Sequence, residues 1–300
     1  MKKILLILPA LFITAASLAQ TKQDSIQPVD TSWKRGGFIG LNLTQVSLNQ
    51  WAQGGENSLA FASTVNLFAN YAKDKTTWDN SLDLGYAFLR SGTTPIRKSD
   101  DRIDFTSKFG RLIKGKVYYS LLLNFKTQFT KGYKYPDDST VVSRFLAPGY
   151  IILAAGINYK PVDYFEIFFS PATGKWTIVN DQLLADAGAY GVDAAYVDEN
   201  GEFHSGSRQK HEFGAYLNLK FKKDIMENVT LMTKLELFDN YTNKIANDRD
   251  KVIVNWETGL NLKVNKYITA SLATQLIYDY RAIQRTQFKE VLGVGFGYKF

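Results

Sequence analysis

The sequence contains no cysteine, and that absence removes a disulfide framework, thiolate chemistry and a lipid-carrying amino-terminal cysteine from consideration. Beyond the first 19 residues no apolar run is long enough to cross a bilayer as a helix, and mean hydropathy is -0.20. Neither sign of charge dominates. Lysine and arginine number 36 against 29 acidic residues, a net charge of +7, and taking away Lys2 and Lys3 with the first 19 residues leaves 7 − 2 = +5. With no zinc-finger spacing and no helix-turn-helix pattern, so modest an excess gives no reason to expect a nucleic-acid partner. Nothing in the composition calls for a cofactor or a metal.

What the chain does have is an export signal followed by alternation. Lys2 and Lys3 precede an apolar run over 4–13 and the small residues Ser17-Leu18-Ala19, the pattern of a secretory signal peptide cut after Ala19, so that 1–19 is removed. Residues 20–36 are polar, include Pro28, and read as a flexible periplasmic lead-in. At the other end, Phe288, Leu292, Val294, Phe296, Tyr298 and Phe300 alternate with Gln287, Lys289, Gly293, Gly295, Gly297 and Lys299. A period of two places these sets on opposite faces of a strand, and its aromatic terminus resembles the closing strand of bacterial outer-membrane barrels. Glu290 shares a face with Phe288, so the membrane-embedded part is expected to begin after it.

The same period recurs twelve times, near 38–48, 59–71, 78–88, 102–109, 117–128, 151–159, 165–170, 212–221, 229–240, 252–263, 268–280 and 287–300. Connections alternate in length: 73–75, 114–116, 161–163, 224–228 and 264–266 are tight, and those between them are longer, the largest being 172–208. Short turns on one side and long loops on the other, with an even strand count, predict an all-β fold: a single closed antiparallel transmembrane barrel over 37–300. A soluble sandwich has no reason to sort its loops this way.

Alternation also names the inward charges. Asp79, Asp83, Asp104, Glu166, Glu212, Glu236, Glu257 and Asp279 stand against Arg102, Lys108, Lys126, Lys220, Lys234, Lys263, Arg281 and Lys289. Eight acids balance eight bases, which predicts ion pairs filling a narrow lumen rather than a strongly ion-selective pore. Outward aromatics fall into two groups, Tyr71, Trp78, Tyr159, Phe165, Tyr298 and Phe300 toward the tight turns, and Phe88, Phe129, Tyr278 and Tyr280 toward the long loops, as interfacial girdles would.

Several motifs carry a family resemblance: Trp51-Ala52-Gln53-Gly54-Gly55-Glu56-Asn57-Ser58, Lys98-Ser99-Asp100-Asp101-Arg102, Thr127-Gln128-Phe129, Ser170-Pro171-Ala172-Thr173-Gly174-Lys175-Trp176-Thr177 and Leu237-Phe238-Asp239-Asn240-Tyr241, with the end from Gln287. Together they resemble the Bacteroidota outer-membrane proteins grouped as domain of unknown function 3078. The resemblance implies an outer-membrane barrel and supplies no catalytic residues.

Candidate sites are few. Gly174-Lys175 lacks the first glycine and the final hydroxyl residue of a phosphate loop, since Phe169 and Trp176 stand there, and the segment is expected to fold back over the barrel mouth with Lys175 in the charge network. Trp51, Gly54, Gly55 and Glu56 read as a structural turn. A lipid hydrolase would need a lipid-facing histidine and a serine two residues apart; His211 has Gln209 and Phe213 instead, and is expected to pair with Asp239. Asp100, Asp101, Asp137 and Asp138 read as solvated loop carboxylates, with calcium as the alternative. The functional expectation is a non-enzymatic channel or transporter for a small polar solute, with a gated or plugged lumen. The alternative is a scaffold whose loops contact other outer-membrane proteins. Outer-membrane lipid is the expected surrounding partner in either case.

Overall fold

The computed structural model describes residues 31–49, 55–242, 252–265, 267–281 and 284–300. The expected signal peptide, Trp51 and Gly54 lie outside them. Twelve strands form the ring: β1 (Trp33–Val46), β2 (Ser58–Lys73), β3 (Thr76–Ser91), β4 (Arg97–Lys114), β5 (Val117–Thr127), β6 (Gly149–Val162), β7 (Phe165–Ile178), β8 (Gln209–Met226), β9 (Val229–Asn240), β10 (Ile253–Lys263), β11 (Ile268–Tyr278) and β12 (Gln287–Lys299). Each pairs antiparallel with its sequence neighbours, and β12 returns to β1, closing the barrel. Closure gives every strand a partner on both sides, although β12 meets β1 along only four residue pairs. No helix among the described residues is long and apolar enough to cross a membrane, which says nothing about a barrel that crosses with strands.

Tight turns join β2–β3, β4–β5, β6–β7, β8–β9 and β10–β11 at one end, the turn end. Asp74, Gly115 and Asn228 adopt left-handed backbone there, as two-residue hairpin turns require. The opposite, loop end carries the longer connections, but β4 starts at Arg97, so the connection after β3 shrinks to 92–96. Asp100 and Asp101 are therefore strand residues and not loop carboxylates. β1 also starts at Trp33, inside the stretch read as a lead-in.

The largest departure is in β7, which runs through Pro171 to Ile178 and leaves 179–208, not 172–208, as the long connection. Pro171 survives inside a strand because both neighbouring ladders skip there: pairing shifts between Ala155 and Ile157 of β6 and between Gly214 and Tyr216 of β8. A residue without an N–H is tolerated where the ladder is already broken. Gly156 and Gly214 sit at the two shifts, and a Cβ on them would collide with the carbonyl oxygens of Phe169 and Asp239. Ser170-to-Thr177 is thus wall, not a lid.

The alanine variant of Gly214 is expected to lose about 1–3 kcal/mol of stability through overpacking. Gly259→Ala, whose nearest atom would be the Met232 methyl at 3.6 Å, should change little. Comparing the temperatures at which the folded band disappears on unboiled gels reads both.

Candidate functional site: a lumen crossed by ion pairs

Inward residues of β4–β9 meet one another across the lumen. The Glu236 carboxylate accepts from Lys126 Nζ at 2.5 Å, Tyr216 Oη at 2.6 Å and Asn255 Nδ2 at 2.8 Å, with Lys234 Nζ at 3.2 Å. Those donors come from β5, β8, β10 and β9. Asp104 on β4 joins the same cluster, 3.4 Å from Lys234 and 3.7 Å from Lys126, and takes a bond from Asn124 at 2.6 Å. Around it, Lys108 pairs with Glu166, Lys160 with Asp79 at 2.5 Å, and Glu212 with Arg281 and with Lys175 at 3.7 Å. Arg281 also holds Asp279 at 2.8 Å. Arg102 on β4 reaches Glu257 on β10 at 3.7 Å, and these strands stand six neighbours apart in either direction around the ring. Lys289 meets Asp100 at 2.7 Å, and Asp83 accepts from Asn66 at 2.5 Å. Among the described residues, Lys220 and Lys263 make no ion pair.

Two features of the lumen escaped sequence reading. Lys160 has the inward parity of Asn158, so its place among the inward charges is legible in the sequence, while its pairing with Asp79 is not. An apolar cluster also faces inward, formed by Leu122, Ile152, Ala154, Phe168, Tyr216 and Phe238. It dehydrates the ion pairs beside it and makes each one costly to break. The opposite wall differs: Asn42, Thr64, Asn66, Ser81, Gly259 and Ser271 point inward but remain only partly buried. Small and polar side chains leave that half of the lumen open to water.

The loop end is covered by the 128–148 and 179–208 connections. Asp181 caps a short helix, α1 (Gln182–Asp186), by accepting from Leu183 and Leu184 N–H, and binds Arg144 at 2.7 Å. Tyr190 donates to Val142 O at 2.5 Å, and Lys210 donates to Gly191 O at 2.7 Å. Ala147, Val179, Ala185 and Val192 form a small core between the two connections. The Arg144 hydrogen bond, followed by the helix N–H groups, holds the Asp181 carboxyl below its ordinary range, and burial pushes the Tyr190 hydroxyl up to about 12.

The motif residues find structural roles. Asp101 accepts from Lys98 Nζ at 2.9 Å and from the N–H groups of Phe129 and Thr130, so the Lys98-to-Arg102 and Thr127-to-Phe129 motifs form one latch under the cap. Glu56 bonds Ser91 at 2.9 Å across the first loop, where Gly55 has left-handed backbone. Asp137 closes its own turn onto Ser139. His211 stands opposite Trp176, with ring centroids 6.3 Å apart, while Asp239 stands opposite Ala215. The expected His211 and Asp239 pair is therefore wrong, because the β8–β9 turn lies at 227–228 and moves the partner of Asp239 by four residues, from 211 to 215. Tyr280 is buried rather than outward, since β11 ends at Tyr278 and its alternation stops there. Asp198, Glu202 and His204 offer ligand atoms within 4.8 Å of one another. Asp198 already accepts from Asn200 and Glu202 N–H and lies 3.1 Å from His204 Nε2, which accounts for the arrangement as a hairpin lock.

Residues 43–133 match the model of a family described as a protein of unknown function (DUF3078). That stretch contains the 51–58, 98–102 and 127–129 motifs. No curated protein matches. Among solved structures, the COG4313 outer membrane channel from Pseudomonas putida F1 is similar at TM-score 0.39 and 12% identity, over 92% of this chain and 99% of that one. The NanC porin is similar at 0.36 and 8%, over 87% and 98%. The outer membrane channel DcaP of Acinetobacter baumannii is similar at 0.32 and 9%, over 89% and 97%. Similarities this low carry no residue roles across.

Removing one partner of the central cluster strands buried charge. Glu236→Ala is expected to cost about 3–5 kcal/mol, while the apolar pair Lys126→Met with Glu236→Leu recovers most of it; urea titration of the purified barrel measures both. For the cap the sign follows from Asp181. Its depressed folded-state value means that its contribution is present above the unfolded value of about 3.9 and is lost as pH falls through the lower folded value. Cleavage within 179–208 by an acid-active protease should rise below about pH 4, and Asp181→Ala should be cleaved there at neutral pH by a protease active at that pH, under conditions in which the parent chain resists it.

Proposed function

We propose that the chain is an outer-membrane barrel, with its turn end toward the periplasm, that passes small polar solutes through an off-centre, charge-compensated lumen. The observation that carries this reading is the division between faces. Outside, Leu43, Leu292 and Phe296 are 64%, 71% and 68% exposed, within a belt of apolar side chains that water would not support on a solitary soluble protein. Inside are the ion pairs. A closed ring satisfies backbone groups without water at all but the loop-end part of one junction, which is what a bilayer demands.

Aromatic clusters mark both rims. Trp33 lies 5.3 Å from Tyr71 and 6.0 Å from Trp78 at the turn end, and Phe61 stacks on Phe88 at 5.3 Å toward the loop end. Such girdles sit where headgroups meet hydrocarbon. Export with cleavage after Ala19 fits the same location. The water-open wall supports passage, and the interlocked cap supports gating at the outer mouth. Partly exposed Asp79, Arg102, Glu257 and Lys289 present both signs to the passage, so selectivity between ions is weak.

A scaffold reading draws on one observation: Leu183, Val197 and Phe203 project from the cap connection at 82%, 64% and 63% exposure, as an anchoring surface for another outer-membrane protein would. Planar-bilayer recording separates the two. Steady small openings are expected, with Glu257→Gln moving the reversal potential toward anion preference and Arg102→Gln moving it toward cations. Electrical silence with a co-purifying outer-membrane protein would favour the scaffold.

A further inference from the structure

Every junction around the ring is paired along ten positions or more except the one that closes it. There β1 and β12 pair only from Phe38–Leu41 against Phe296–Lys299, with Gly37 and Phe300 bonding each other at the turn end. Toward the loop end the ladder stops, although β1 continues to Val46 and β12 begins at Gln287. Antiparallel bonding alternates, and the Gly37 and Phe300 pair fixes which residues point their backbone into the seam. Leu43 and Gln45 of β1 face it, opposite Val294 and Leu292 of β12.

Unpaired N–H and C=O groups at hydrocarbon depth are costly, so a polar group must reach them from the lumen. Asn42 stands on that side. The lumen face of the seam is built from Asn42, Thr44, Gly293 and Gly295, and the Asn42 amide lies so close over the two glycines that a Cβ on Gly293 would stand 2.6 Å from Asn42 Nδ2. On the outside, Leu43, Leu292 and Val294 are exposed apolar side chains. Beside Asn42, from 42 to 44 on β1 and 292 to 295 on β12, the seam is polar or bare inside and apolar outside, whereas nearer the loop end Gln45 and Glu290 face outward and Val46 and Val291 inward; the stretch beside Asn42, with its incomplete ladder, matches a molecule with two unlike ends. An added protein strand fits less well, because the free edge of β1 spans only 42–46.

We propose that the loop-end half of the β1–β12 seam is a lateral port, through which an amphiphile with a hydrogen-bonding head and an alkyl chain moves between the lumen and the lipid layer. This rests on the passage reading and names a substrate class for it. The head travels along the water-open wall, with Asn42 and the free backbone edges as its hydrogen-bonding partners. The chain stays among Leu43, Leu292 and Val294.

The absence of native cysteine makes single-site labelling clean. A bimane fluorophore on Thr44→Cys, facing the lumen, is placed in vesicles of acyl-brominated phosphatidylcholine, with Leu292→Cys as the lipid-facing reference and Ser81→Cys, lumen-facing on a strand paired on both sides, as the reference away from the seam. The port requires quenching at position 44 to approach that at 292 and to exceed that at 81. Quenching at 44 no greater than at 81 overturns it, and Val46→Cys repeats the reading should Thr44→Cys fail to fold. A photo-crosslinking residue at position 44 in intact cells identifies the occupant by adduct mass: an alkyl amphiphile supports the port, and a polypeptide overturns it. Recording conductance from the labelled barrel separates the two claims. Conducting but unquenched barrels keep the polar passage and remove the port, whereas quenched but silent barrels keep lipid access and remove the passage for free solute.

Discussion

The structure depends on one carboxylate held by four strands. Glu236 draws donors from β5, β8, β9 and β10, and Asp104 brings β4 into the same cluster. A barrel has no core in the usual sense, because its apolar side chains point outward. Neighbouring strands are fixed by backbone ladders, but nothing in a ladder sets the distance between strands on opposite sides. Here charge does it. Attraction between groups several strands apart, strengthened by the Phe168, Tyr216 and Phe238 surroundings, pulls the β4–β9 walls together, and β1–β3 with β10–β12 are left bounding the open half.

Alternation made much of this legible because a two-residue period reports face directly. It identified every ring strand and most inward charges, since Asp104, Glu236 and Lys126 each keep strict parity with their neighbours. It could not report which inward residues meet. Arg102 and Glu257 lie on opposite sides of the ring, and their approach depends on strand tilt and stagger, which no local pattern encodes. Turn position failed for a related reason. The β8–β9 hairpin turns at 227–228 on a left-handed Asn228, and the alternation of Phe221 to Val229 is compatible with several turn placements. Misplacing it displaced Asp239 from Ala215 and produced a spurious partner for His211. Strand β7 shows a third limit: Pro171 ordinarily ends a strand, but two ladder shifts that are invisible in one strand's sequence make room for it.

The two halves of the ring also differ in what their strands can afford to carry. On β4–β9 the inward positions hold Lys, Asp, Glu, Asn, Tyr and Phe, which fill space and lock rotamers. On β12 they include Gly293, Gly295 and Gly297, against which Asn42, Phe38 and Thr269 pack directly onto backbone. Glycine permits that close approach but adds no side chain of its own to the lumen. The lumen there is lined instead by Asn42, Phe38 and Thr269, beside the junction between first and last strands.

That coincidence has a mechanical consequence. The ladder is shortest where β12 meets β1, so the fewest backbone hydrogen bonds resist separation there. The cap bears on the same balance from above, because Gly191 packs against Arg281 while Arg281 holds Glu212 on β8. Movement of the 179–208 connection is thus coupled to the end of β11, the strand that carries β12. Displacing the 179–208 connection would therefore disturb Arg281 and its hold on Glu212 of β8.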